Sequence, residues 1–171
     1  PITDNMGNIR TFYLYTPASG VIPCSSGIVL MRDGNDESSA KYILEETGWA
    51  ELAERDHYVI ILPNSAGESW NIDNSTEAPD EIAFSVNWLT TGTLQYLLGC
   101  KVHRTSLYLA GFGHAATFAA KIAAQHGNLL AGMYLEGAKH VFGAVRPVSP
   151  VPAWLVNCAP ELDSAFGFTA Q

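Results

Sequence analysis

Short apolar runs alternate along the chain with segments whose apolar residues recur every three or four positions. GIVLM at 27–31 and YVIILP at 58–63 are continuous β-branched and aliphatic runs, the pattern of strands covered on both faces. RTFYLYTP at 10–17 alternates residue types and ends in proline, which suits an edge or entry strand. SLYLA at 106–110, AGMYL at 131–135 and PAWLV at 152–156 complete the predicted strands. Between them, Ile82, Val86, Leu89 and Leu97 share one face of a helix that Asp80 caps and that runs toward Gly99. Ala115, Phe118, Ala119, Ile122 and Ala123 form a narrow stripe of small residues, which lets a helix lie close on a sheet. Residues 38–56 hold Tyr42, Ile43, Trp49, Leu52 and Ala53, with Gly48 dividing them into two short helices. Trp49, Trp88 and Trp154 fall inside these periodic segments and are expected in the core. Strands alternating with helices predict βαβ units, hence an α/β domain with a doubly wound, mostly parallel sheet. The stretches 64–80 and 136–151 read as loops, and Pro147 and Pro150 argue against a long helix in the second.

Composition narrows the function classes. At 171 residues, 47% hydrophobic and 15% charged, the sequence predicts one compact domain over 1–171 with a substantial core. Nine Lys plus Arg against 17 Asp plus Glu give a net charge of -8, so a phosphate backbone is repelled and nucleic acid is not an expected partner. No apolar run approaches the roughly 20 residues that span a bilayer, and the opening PITDNMGNIR lacks an apolar signal core, so no membrane is expected. Pro1 in place of Met points to processing or to a piece of a longer natural protein.

Cys24, Cys100 and Cys158 are too few and scattered for a disulfide framework or a C-x-x-C zinc site; buried thiols are expected, with one disulfide plus a leftover thiol as the alternative. His57, His103, His126 and His140 show no spacing that places two ligands on one helical face, so neither metal nor cofactor is expected. The acidic run DGNDE at 33–37 offers oxygen ligands to a hard cation, but a solvated loop is the plainer reading.

Residues 108–116, YLAGFGHAA, carry the most chemical information. An apolar strand enters a glycine-spaced turn and then a small-residue helix, the setting of the nucleophile elbow G-x-S-x-G of serine hydrolases. The serine position is Gly113, so the scaffold of a serine esterase is present without the attacking atom. Ser65 and Ser69 lie on the rim formed by loops at the carboxyl ends of parallel strands, where ordinary loop serines are expected.

The segments FYLYTP, GIVLM, TGWAELAERDHYVIILPNSAGESWN, DEIAFSVNWL, RTSLYLAGFGHAATFAAKIAAQHG and PVPAWLVNCAPELD resemble the α/β-hydrolase fold. More narrowly, they resemble the poly(3-hydroxybutyrate) depolymerase and feruloyl-esterase group of secreted or periplasmic esterases, over nearly the whole chain. The resemblance implies that Gly113 occupies the nucleophile position, where glycine relaxes a strained backbone. It gives the backbone N–H of His114 the oxyanion role. The second oxyanion donor belongs to the loop after GIVLM, which here reads Arg32, Asp33, Gly34, Asn35, Asp36 and Glu37; its carboxylates oppose a developing negative charge. The acid position matches Glu161, with Asp163 as runner-up, and no residue matches the family's histidine before Gln171, so the fold is expected to be truncated at its C-terminal end.

Trp70, in GESWN, borders the cleft by the same resemblance. It either stacks on a sugar or aryl group or packs its loop onto the domain. His114 stands at the mouth of the pocket, either as a general base toward water or as a solvated or capping residue. The resemblance thus implies a non-catalytic esterase-like domain acting as a binding or accessory module, with an acyl or sugar ligand and an extracellular or periplasmic setting. The alternative is a carboxylic-ester hydrolase with a non-standard or externally completed active site. Because the chain ends soon after its last strand, another domain or subunit is expected to cover that sheet edge.

Overall fold

The structure, a computed structural model, describes residues 2–20, 26–73, 75–90, 106–138 and 149–156. A hairpin-like pair, β1 (Ile2–Thr3) and β2 (Ile9–Arg10), precedes the main sheet. That sheet contains β3 (Phe12–Tyr15), β4 (Gly27–Met31), β5 (Val59–Pro63), β6 (Leu107–Phe112), β7 (Gly132–Glu136) and β8 (Ala153–Val156) in the order β3-β5-β4-β6-β7-β8. Only β3 runs antiparallel, on the outer side of β5; the other neighbours pair in parallel. The expected edge strand and mostly parallel sheet are both present.

Every residue of β4 and β5 is buried, because helices cover both faces there. Alternation divides the strands between two cores. Val29, Met31, Ile61, Leu109, Met133 and Leu135 face α3 (Glu81–Thr90) and α4 (His114–His126). Ile28, Leu30, Ile60, Leu62 and Ala110 face α1 (Glu37–Glu46) and α2 (Trp49–Asp56). Gly48 divides α1 from α2 as expected, with φ of 79° in the left-handed region that glycine enters without penalty. Asp80 caps α3 by accepting from the Ala83 amide at 2.9 Å; the predicted continuation through Leu97 to Gly99 lies outside the described residues.

The small-residue stripe of α4 broadens into a helix buried on most of its surface, including Ala116, Thr117, Ala120 and Ala124. The reason is its close approach to β6. A Cβ added at Gly111 would lie 2.7 Å from the Ala116 Cα and 2.9 Å from the Ala119 Cβ. Such a separation admits only hydrogen on the strand and alanine on the helix.

Of the tryptophans expected in the core, Trp88 is buried and Trp49 is half-buried, edge-on to Phe112 and Tyr134 at 6.2 and 5.8 Å. Trp154 departs from expectation: on β8 it is 71% exposed. The layer of α1 and α2 lies over β4 and β5, so the same face of β6–β8 carries a groove of about 810 Å³ lined by Trp49, Leu52, Tyr58, Tyr108, Met133 and Trp154. Among the described residues no helix is long and apolar enough to cross a membrane.

Two outcomes are expected. Gly111→Ala costs about 1–3 kcal/mol in urea unfolding through overpacking, whereas Gly67→Ala, with nothing within 4 Å of its added Cβ, is close to neutral. Asp36 caps α1, accepting from the Ser38 hydroxyl at 2.6 Å and the Ser39 amide at 2.8 Å, which holds its carboxyl well below the usual range. A depressed carboxylate stabilises the fold above its unfolded pKa and loses that contribution as pH falls. Asp36→Ala therefore lowers the melting temperature at pH 7, and the gap to the parent chain narrows below about pH 4 in circular-dichroism melts.

Candidate functional site

Strand β6 delivers the chain to the elbow at its carboxyl end. Gly113 turns it with φ of 57° and ψ of -127°, a conformation that L-residues adopt only under strain. Its amide donates to the Glu136 carbonyl at 2.8 Å, and the Ala116 amide donates back to the Gly113 carbonyl at 3.2 Å. A Cβ built at Gly113 meets nothing within 4 Å. Backbone conformation, not lack of room, is therefore what a side chain would contend with here.

His114 opens α4, and its Nδ1 lies 3.2 Å from Oδ1 of Asp33, which comes from the loop after β4. The two side chains are 50% and 33% exposed. The peptide dipoles of α4 sum to partial positive charge at this end of the helix. Asp33 sets a carboxylate beside it. His114 also borders a cavity of about 510 Å³, shared with Ser69, Asn71, Ser75 and Glu77 of the 64–80 loop.

Trp70 corrects one expectation. Its ring is 2% exposed and stacks on Phe118 of α4, with centroids 4.6 Å apart and planes 10° from parallel. Its Nε1–H donates to the Arg32 carbonyl at 2.6 Å. The ring is thus occupied in packing the loop onto the domain, and stacking on a sugar or aryl ligand is not open to it. Ser65 is likewise buried, its hydroxyl donating to the Gly67 carbonyl at 2.6 Å within a turn. His57 is exposed beside Ser19, with 3.1 Å between Nδ1 and Oγ, and sits far along the chain from the elbow at the end of α2. In the acidic run, Asp36 is spent on capping α1 and Asp33 on His114. Among the described residues no three His, Cys, Asp or Glu side chains converge as metal ligands. Glu161, Asp163, Cys24, Cys100, Cys158, His103 and His140 lie outside the described residues.

Sequence reasoning missed the buried polar frame beneath the site. Arg10 donates to the Asn64 carbonyl and to Oε2 of Glu81, both at 2.7 Å, and reaches Asp4 at 3.4 Å. Oε1 of Glu81 accepts from the Ala66 amide at 2.8 Å. Arg32 donates to Oδ1 of Asn64 at 2.6 Å and to the carbonyls of Asp33, Gly34 and Asp36 at 3.2, 2.8 and 3.2 Å. One frame therefore ties β2, the loop after β4, the loop after β5 and the start of α3. Burial pushes the Glu81 carboxyl up, opposed by the Ala66 amide and Arg10; burial likewise lowers Arg32. The only signal in the sequence is an arginine opening one strand-like run (Arg10) and another closing a second (Arg32), too common a pattern to single out.

No family model matches the chain. It is 24% identical over 150 residues to a bifunctional acetylxylan esterase/xylanase of Neocallimastix patriciarum, covering 86% of this chain and 21% of that protein. Among solved structures it resembles a thermostable esterase with a TM-score of 0.64 and 14% identity, covering 90% of this chain and 44% of that one. It also resembles a ferulic acid esterase at 0.59 and 16%, over 78% and 56% of the two chains. An acetyl xylan esterase from Aspergillus awamori follows at 0.55 and 17%, over 72% and 45%. The chain thus spans about a fifth of the sequence relative and about half of each structure. Its fold is that of the α/β-hydrolase esterases, as the sequence predicted.

The frame yields a direct test. Glu81→Ala takes the 2.7 Å carboxylate from the buried Arg10 guanidinium, leaving it the Asn64 carbonyl and the longer Asp4 contact, and removes the acceptor for Ala66; it is expected to cost roughly 3 kcal/mol in urea unfolding.

Proposed function

We propose that this chain is an esterase-type domain that has lost the covalent serine route and acts as a binding or accessory module. One observation carries the reading: position 113 keeps the strained turn of a nucleophile elbow while bearing no side chain. Glycine in place of the nucleophile leaves no group to form an acyl-enzyme there. On this reading the His114 amide still occupies the oxyanion position and Glu161 or Asp163 the acid position. Asp33 adds weight, because a carboxylate beside the elbow opposes an oxyanion.

The ligand inherited from the resemblance is an acyl or sugar group, and the similarity to an enzyme named for acetylated xylan favours the sugar. The groove over β6–β8 and the 71% exposure of Trp154 support a further domain or subunit against that side of the sheet; the extracellular or periplasmic setting follows the resemblance and the similarity to an acetylxylan esterase. A second reading, an ester hydrolase with a non-standard site, draws on the 3.2 Å approach of His114 to Asp33, a pairing able to orient an imidazole as base toward water.

Intact mass after incubation with a fluorophosphonate, with p-nitrophenyl acetate turnover alongside, separates the readings. The module gives no adduct and no turnover above background. A stoichiometric adduct reveals a serine nucleophile elsewhere, and turnover without adduct that His114→Ala abolishes supports the second reading. Gly113→Ser alone is expected to leave turnover at the level of the parent chain, because the loop after β4 opposes the oxyanion; robust turnover by that variant overturns the proposal.

A further inference from the structure

We infer that the 64–80 loop carries a modification site: Asn74 is the acceptor for an N-linked glycan at the rim of the cavity that His114 borders. The inference goes beyond the binding-module reading and rests only on the extracellular setting within it.

Asn74-Ser75-Thr76 sets a threonine two residues after an asparagine with no proline between, the pattern that N-glycosylation requires. No other asparagine of the chain is followed at that spacing by serine or threonine. Asn74 itself lies outside the described residues, and its neighbours Asp73, Ser75, Thr76 and Glu77 are all exposed. Around this stretch the loop is fastened by other residues. Trp70 is stacked on Phe118, and the Asn71 side chain accepts from the Ser75 amide and donates to the Ser75 and Pro79 carbonyls, each at 3.1 Å. A loop anchored in this way does not need the exposed side chains at 73–77 for packing, so a bulky hydrophilic group there displaces no core contact. Asp73, Ser75 and Glu77 also line the cavity of about 510 Å³. A glycan joined between them narrows the approach to that cavity from the loop side.

In the transfer, the Asn74 amide nitrogen forms a bond to the anomeric carbon of an oligosaccharide. The bond from that carbon to a lipid diphosphate breaks, the lipid diphosphate leaves, and one amide proton is released. The donor is a lipid-diphosphate oligosaccharide, and the catalyst is the transferase of a secretory membrane.

The test expresses the full chain in insect cells behind a secretory leader, with a second glycan acceptor appended as a tag. Only chains whose tag carries a glycan, and which therefore met the transferase, are scored. They are expected to carry one further glycan, removed by peptide-N-glycosidase F with aspartate left at position 74 in the peptide map. Thr76→Ala is expected to lose that glycan, and Thr76→Ser, which preserves the pattern, to keep it. Tagged chains unmodified at Asn74 overturn the inference, as does a glycan at that position that persists in Thr76→Ala. The glycosylated chain and its enzyme-trimmed form are expected to melt alike by circular dichroism; a glycosylated form that melts well below the trimmed one overturns the surface placement. Because the leader is supplied, none of these results depends on the extracellular setting, which is read instead from whether the natural protein is found outside its cell.

Discussion

The carboxyl end of this sheet depends on two buried arginines that share Asn64. Arg10 holds its backbone carbonyl and Arg32 its side-chain oxygen, so one residue just past β5 fixes both β2 and the loop after β4. Glu81 answers the charge of Arg10 and pins Ala66 with its other oxygen, extending the frame to α3. Loops at the ends of parallel strands have no ladder to hold them, and their carbonyls must find donors once buried. Arg32 supplies three of those donors to a single loop, and the Trp70 indole caps the Arg32 carbonyl in turn. Remove the frame and Asp33 has no reason to meet His114.

A second constraint is steric. Helix α4 lies so near β6 that Gly111, Ala115, Ala116 and Ala119 form the contact with no larger side chain between them. That closeness forces the sharp reversal at Gly113, because the strand ends directly beneath the helix that follows it. The strained turn is thus tied to helix–sheet packing as well as to the glycine at its apex.

Much of this was legible from residue order. Continuous aliphatic runs gave β4 and β5, since strands buried on both faces need no polar alternation. The glycine at 48 marked the break between α1 and α2, and the alanine-rich repeat marked the helix that must lie close. Trp154 and Trp70 were not legible, and for opposite reasons. Periodicity tells which face of an element a residue occupies, yet it does not tell whether that face is covered; Trp154 sits on β8, beyond Tyr134 of β7, against which Trp49 of α2 packs, and is 71% exposed. A loop tryptophan near a cleft looks available for ligands until its ring is found stacked on Phe118.

The sequence by itself determined the alternation of strands and helices and the glycine-spaced strand-to-helix turn at 111–115, because these follow from local periodicity and residue identity. Tertiary structure alone decided that Asp33 meets His114, that Arg10, Arg32, Asn64 and Glu81 share one buried frame, and that Trp70 is a packing residue. Each of those joins positions tens of residues apart through side-chain hydrogen bonds or ring contacts, and their partners are chosen by the twist and order of the sheet, which no local pattern encodes.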